Sequence, residues 1–263
     1  MSDRGSFLGS LAVQRRVVGA LMMREVITRF GRYNLGALWL IGEPMIFTLG
    51  VAALWTAAGL SRSSAIPIVA FAITGYSSVL MWRNTVGRCA SAIQSNFSLL
   101  FHRNVKVIDV MLARILLEIA GATGSFMVLV LFFVGIEWIE PPQDLLPVLF
   151  GWLMLAWFGL ALSLTIGAAT AYSPLVDRVW QPMSYLLFPL SGAAFMVDWL
   201  PPNAREVILW LPMVHSVEYI REGYFGAVAT YHYDMGYMGT CNLMLTLVGL
   251  WLVRDAGNRV EAA

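Results

Sequence analysis

LLPVLFGWLMLAWFGLALSLTIGAATA, residues 145 to 171, runs for 27 positions without one charged side chain. An α-helix rises about 1.5 Å per residue, so about 20 apolar residues cross the roughly 30 Å hydrocarbon layer of a bilayer. This run is long enough to span. Apolar runs at 35–59, 66–86 and 107–136 precede it, and two more at 180–197 and 237–253 follow it. The expected fold is an all-α integral membrane protein, a single domain over residues 1–263 with six transmembrane helices. Composition agrees: 59% of the residues are hydrophobic and 13% charged, against roughly 45–50% and 25% in soluble domains. Residues 198–236 are too mixed to span as one helix. Their apolar stretches, Val207 to Val214 and Phe225 to Ala229, are expected to form short interfacial or re-entrant helices at the outer face.

Fourteen of the 17 basic residues flank the runs on one side, and only Arg62, Arg205 and Arg221 fall on the other. The positive-inside rule then places both termini in the cytoplasm. Tryptophans fit the same map as interface anchors, with Trp39, Trp82, Trp180 and Trp251 at inner ends and Trp55, Trp138, Trp199 and Trp210 at outer ends. Residues 8–32 predict an amphipathic helix in the cytoplasmic interface. Val13, Ala20, Met23, Ile27 and Phe30 form one stripe, with Arg24, Glu25, Thr28, Arg29 and Arg32 opposite. Arginines and Glu25 interrupt the apolar residues here, so no signal-peptide core exists and the segment is expected to persist in the mature protein. A net charge of +1 provides no basic excess for a nucleic-acid partner. Cys89 and Cys241 fall at opposite sides of the expected bilayer, which argues against a disulfide or metal site.

Several catalytic chemistries lack their residues. A phosphate-binding loop needs a glycine-rich turn ending in lysine, and the single lysine, Lys106, stands in HRNVKVID. His215 and Glu218 in HSVE lack the second histidine of a zinc-protease helix, and no Gly-x-Ser-x-Gly elbow occurs. The expectation is a chain with no catalytic residues, metal or cofactor of its own. The charged residues within apparent spans, Glu43, Arg83, Arg114 and Glu118, all lie toward inner ends, which weakens the reading of an ion-coupled carrier with midplane carboxylates. Arg114 and Glu118, four apart, are expected to pair locally; Glu43 is expected to meet a basic partner.

Three segments carry a resemblance. ALMMREVITRFGRYNLGALWLIGEP, residues 20 to 44, resembles the entry sequence of type-2 ABC exporter permeases for polysaccharides, in Thr28-Arg29-Phe30-Gly31-Arg32, then Leu35, Gly36, Trp39, Glu43 and Pro44. SNFSLLFHRNVKVIDVMLARILLE, residues 95 to 118, resembles the connection between their second and third spans. LPMVHSVEYIREGYFG, residues 211 to 226, is similar to the segment before the last span in the capsular-polysaccharide branch, with Leu211-Pro212 where that family commonly has Asn-Pro. The resemblance implies a homodimeric permease of the bacterial inner membrane. Two copies of a separate ATPase subunit, carrying ATP and magnesium, would drive export of a lipid-linked capsular polysaccharide. A periplasmic co-polymerase and an outer-membrane export protein would continue the path. O-antigen or teichoic-acid export and small-molecule efflux remain alternatives within the same architecture.

Within that frame, coupling must cross the cytoplasmic surface. Arg24, Glu25 and Thr28 of the interface helix, with Gln94, Ser95, Asn96, Ser98 and His102 of the second connection, are the expected ATPase contacts. Ser91, Gln94, Ser95, Asn96 and Ser98 are polar without charge, so a partner can desolvate them at lower cost than an ionic surface. Arg29, Arg32, Arg103, Lys106 and Arg114 cluster where an anionic lipid-linked chain would enter, and guanidinium forks suit phosphate and carboxylate. Aromatic faces contact sugar CH groups while leaving hydroxyls hydrated. Phe47, Trp157, Phe158, Tyr185, Phe188 and Phe195 are the candidates for the substrate path, with Tyr185 and Phe188 the best pair.

Overall fold

A computed structural model describes residues 7–30, 36–59, 66–100 and 105–262. All regular structure among them is helical: α1 (Phe7–Phe30), α2 (Gly36–Ala57), α3 (Ile68–Ala90), α4 (Ala92–Ser95), α5 (Phe97–Leu100), α6 (Val107–Gly135), α7 (Leu145–Ala169), α8 (Leu175–Leu190), α9 (Pro202–Ile208), α10 (Pro212–Phe225) and α11 (Met235–Ala262), with single 3-10 turns at Val197–Trp199 and Gly226–Val228. Among the described residues four stretches are long and apolar enough to cross a membrane: Leu38–Ala57, Val107–Gly135, Leu145–Ala169 and Met235–Arg259.

The other two expected spans are helices of different character. α3 is the central element, packed against α2, α6, α7, α8 and α10. Every residue from Val69 to Trp82 is buried by these neighbours, so it carries Thr74, Ser77, Ser78 and Thr85 inside; Thr74, Ser78 and Thr85 donate to the carbonyl four residues back. α8 has only 16 residues and holds Pro182 and Pro189. The run expected to extend to residue 197 ends at Leu190, because Gly192 takes a positive φ of 83°, open to glycine and costly for other residues, and turns the chain.

The long helices α2 and α3, and α6 and α7, run antiparallel, whereas α7 and α11 run parallel, with Met154 beside Asn242 and Tyr172 beside Asp255. Glu43 meets Arg88 and Trp55 meets Phe71 across α2 and α3; Phe126 stacks on Trp152 across α6 and α7; Trp157 Nε1 donates to Thr246 Oγ1 across α7 and α11. The bundle therefore has an arginine end, where α3, α7 and α11 finish, and a far end. α1 lies across the arginine end against α6 and α2.

At the far end the mixed segment 198–236 forms short helices, though with other bounds than expected: α10 folds onto α7, α11 and α3, and α9 packs against the turn Val197–Trp199. Proline at the first helical position, Pro202 and Pro212, starts each helix. α10 thus begins inside one expected apolar stretch and ends at the other. It is almost wholly buried. Gly151 and Gly223 let it approach α7, since a Cβ at Gly151 would stand 2.8 Å from Ile220 Cγ1 and one at Gly223 2.8 Å from the Asp144 carbonyl oxygen.

Two tryptophans depart from the expected interface belts. Trp82 and Trp180 are 0% and 6% exposed and belong to the core, whereas Trp39, Trp138, Trp199, Trp210 and Trp251 are exposed. Helix α1 also turns an unexpected face to the bundle. Gln14, Val18, Leu21, Glu25 and Arg29, a helical spacing, are among its buried or half-buried positions, and Val13, Met23 and Ile27 of the apolar stripe point outward.

Candidate functional site

Seven rings form a contiguous row from the arginine half of the bundle to its far end. It begins where the Arg83 guanidinium lies 4.4 Å from the centroid of Tyr185 and 5.7 Å from that of Phe188. Phe188 meets Phe47 at 5.9 Å and Tyr76 at 5.6 Å. Tyr76 meets Trp55 edge-on at 5.4 Å, Trp55 meets Phe71 at 6.1 Å, and Phe71 stacks on Trp199 at 5.4 Å. These spacings are those of mutually attracting rings. Helices α2, α3 and α8 supply the row, and the turn after α8 closes it. Tyr185 and Phe47 keep 65% and 42% of their surface open, so the row has an accessible side.

Of the expected path residues, Phe47, Tyr185 and Phe188 stand together in this row. Trp157 is tied to Thr246 between α7 and α11, and Phe158 is buried against Trp82. Phe195 packs beside Val197, Ile208 and Val214. Tyr76, Trp55, Phe71, Trp199 and the cation Arg83 were not legible as members, although Trp55 lies two turns beyond Phe47 on one helix.

At the arginine end, charges from four helices interlock. Glu25 Oε1 lies 3.1 Å from Arg29 Nε and 3.1 Å from Arg114 Nε. Glu118 pairs with Arg29 and lies 3.9 Å from Arg88 Nε, while Glu43 pairs with Arg88 at 3.2 Å. Three carboxylates thus balance three guanidiniums. Arg114 donates further to the Arg88 carbonyl (2.9 Å), Ser91 Oγ (3.2 Å) and Ser95 Oγ (2.8 Å). The expected local pair of Arg114 with Glu118 does not form, because α1 inserts a carboxylate for one and an arginine for the other. Burial opposes the charge on Arg29, but Glu118 and Glu25 outweigh it and hold its pKa above the ordinary value. Glu43 finds its basic partner in Arg88.

The two expected ATPase-docking elements touch one another. Arg24 Nη1 donates to Asn96 Oδ1 at 3.1 Å, and Gln14 Nε2 donates to Asp109 Oδ1 at 3.0 Å. Ser95 is engaged by Arg114, and the Thr28 hydroxyl donates to its own helix at the Arg24 carbonyl. Gln94 and Ser98 are exposed. Among the anionic-entry candidates, Arg29 and Arg114 are held in the network and Lys106 is exposed. Arg32, Arg103 and His102 lie outside the described residues.

His215 on α10 is a joint: its Nε2 faces the Leu209 carbonyl at 2.8 Å, and its Nδ1 accepts the Asp234 N–H at 2.8 Å. Those partners fix the neutral ring with hydrogen on Nε2. No group of three metal-ligating side chains occurs among the described residues.

A full-length likeness accompanies this geometry. Residues 16–225 match the ABC-2 type transporter family. The chain is 45% identical over 256 residues, 97% of each chain, to the capsule polysaccharide export inner-membrane protein CtrC of Neisseria meningitidis serogroup B. It is 40% identical over 259 residues, 98% of each, to the capsule polysaccharide export inner-membrane protein BexB of Haemophilus influenzae. The polysialic acid transport protein KpsM of Escherichia coli is 28% identical over 92% of this chain and 94% of its own. With four membrane-length apolar helices among its described residues and a match over 97% of its length to an inner-membrane export protein, the chain belongs to the ABC-2 type transporter family.

Proposed function

We propose that this chain is the membrane subunit of an ATP-driven exporter of lipid-linked capsular polysaccharide in a bacterial inner membrane. The aromatic row is the observation that carries the reading. A sugar polymer must bind weakly and keep moving, and rings give its CH faces contact without competing for its hydroxyls. In this reading α2, α3, α6, α7, α8 and α11 cross the bilayer with both termini cytoplasmic, and α9 and α10 enter from the outer face. α3 is tolerated as a crossing because other helices cover its polar groups.

Two copies form the channel, and two copies of a separate ATP-binding subunit, carrying ATP and magnesium, dock on the exposed side of α1 and the α4 and α5 connection, where Arg24, Gln94 and Ser98 stand. Arg32, Arg103 and Lys106, with Arg83 further in, draw the anionic head of the substrate toward the row. A periplasmic co-polymerase and an outer-membrane protein receive the polymer beyond the far end. The test is complementation: the chain and its ATP-binding partner are expressed in a capsule-producing strain lacking its own permease, and surface polymer is quantified. Restored surface capsule that disappears when the partner's ATP hydrolysis is disabled is the expected result. Polymer retained inside the cells would reject it.

A further inference from the structure

The far end holds a wholly buried arginine. Arg221, on α10, is 0% exposed. Its Nη1 donates to the carbonyls of Gly192 (2.7 Å) and Phe195 (2.6 Å), and its Nη2 to that of Ala193 (2.8 Å). All three belong to the turn that leaves α8. Glu218, one turn earlier on α10, stands 4.0 Å from the guanidinium and accepts the N–H groups of Val197 and His232, each at 3.3 Å. The guanidinium also lies 3.9 Å from the ring centroid of Phe71. Gly75, a turn along α3, makes the approach possible: a Cβ there would collide with the Ala193 carbonyl oxygen and stand 2.7 Å from Arg221 Nη2.

Burying an ion pair is no efficient route to stability, since apolar side chains of similar volume often do as well or better. What an apolar side chain cannot do is fix three carbonyls with one rigid fork. The fork joins both parts of the aromatic row. It fixes the end of the helix that bears Tyr185 and Phe188, and it lies on Phe71, which stacks on Trp199.

We propose that Arg221 is a positioning residue for transport, latching the turn 192–195 against α3 and so setting the outer end of the path. Glu218 ties the segment before α11 to the same latch. This rests on the reading of the aromatic row as the polymer path.

The test uses the complementing complex, with Arg221→Gln, Arg221→Lys and Gly75→Ala in the permease. Export, ATP hydrolysis and labelling of Ala194→Cys by a membrane-impermeant maleimide are measured in a background lacking Cys89 and Cys241. Ala194 is exposed on the latched turn. With charge-assisted bonds lost, Arg221→Gln is expected to lower export about tenfold or more while hydrolysis stays within about twofold, and labelling of position 194 accelerates severalfold. Arg221→Lys restores part of the export, because an ammonium reaches fewer of the carbonyls. Gly75→Ala, which keeps the arginine but displaces the turn, reproduces the loss. Unchanged export and labelling in Arg221→Gln, or a parallel fall of hydrolysis and export, overturns the latch. If Arg221→Gln does not accumulate in the membrane, Gly75→Ala decides: normal export, or failure to accumulate there too, overturns it. No export by the unsubstituted chain would instead remove the path reading, and the latch with it.

Discussion

The two ends of the bundle solve the problem of holding charge among packed helices in opposite ways. At the arginine end, Glu25, Glu43 and Glu118 share Arg29, Arg88 and Arg114, and several of these groups sit within reach of two opposite charges. At the far end, Arg221 grips three backbone carbonyls and has one carboxylate beside it. A network of side chains can trade partners as helices shift, at little cost for each exchange. A clamp on the backbone cannot, because carbonyls left behind have no second donor. The arginine end is thus able to rearrange its pairs, and the far end is built to keep a geometry.

The contrast predicts unequal costs. Arg221→Met should destabilise the detergent-solubilised protein by about 3–5 kcal/mol in thermal unfolding, because Glu218, 1% exposed, is left as an uncompensated buried charge. Adding Glu218→Gln should recover much of that loss. Arg114→Met should cost less, about 1.5–3 kcal/mol, since Glu25 retains Arg29 while the bonds to Ser95 and the Arg88 carbonyl are lost. Equal losses at the two sites would break the comparison.

Much of the fold was readable because apolar length is a local property. The helices at 36–57, 107–135, 145–169 and 235–262 overlap the apolar runs expected at 35–59, 107–136, 145–171 and 237–253. What escaped depends on partners distant in sequence. Arg114 and Glu118 have the spacing of a local pair, but α1 supplies each with a different partner. HSVEYIREG lies in the segment expected to be interfacial or re-entrant because it is charged, yet it is buried because the turn after α8 and the segment before α11 satisfy it. The aromatic row was half legible for the same reason: Phe47, Tyr185 and Phe188 stand out as rings in runs, while Tyr76 and Phe71 are recognisable only once α3 is known to be central. Arg32, Arg103 and His102 lie outside the described residues.

The clamp also needs its turn. Gly192 holds a φ of 83°, where a left-handed backbone costs a residue with a Cβ about 1–2 kcal/mol. A Cβ there meets nothing closer than Val217 Cγ1 at 3.7 Å, so Gly192→Ala should show the backbone cost alone. A larger loss would mean that the turn is held more tightly than the three bonds require.

The smallest effect sharpens the comparison most. Arg88 and Glu43 are 44% and 46% exposed, and pairs this open are worth about 0.2–1 kcal/mol and weaken with salt. Arg88→Ala alone should therefore move the unfolding temperature little. Arg88 also stands 3.9 Å from Glu118, whose nearer partner is Arg29. If the network trades partners, Arg88 takes over Glu118 when Arg29 is removed, and the double variant Arg29→Ala/Arg88→Ala loses more than the two single variants added together. Groups sharing a partner couple by about 0.5–3 kcal/mol, whereas independent sites add within about 0.3–0.5 kcal/mol. Strict additivity would show three separate pairs that happen to adjoin, and the arginine end would then be as fixed as the far one.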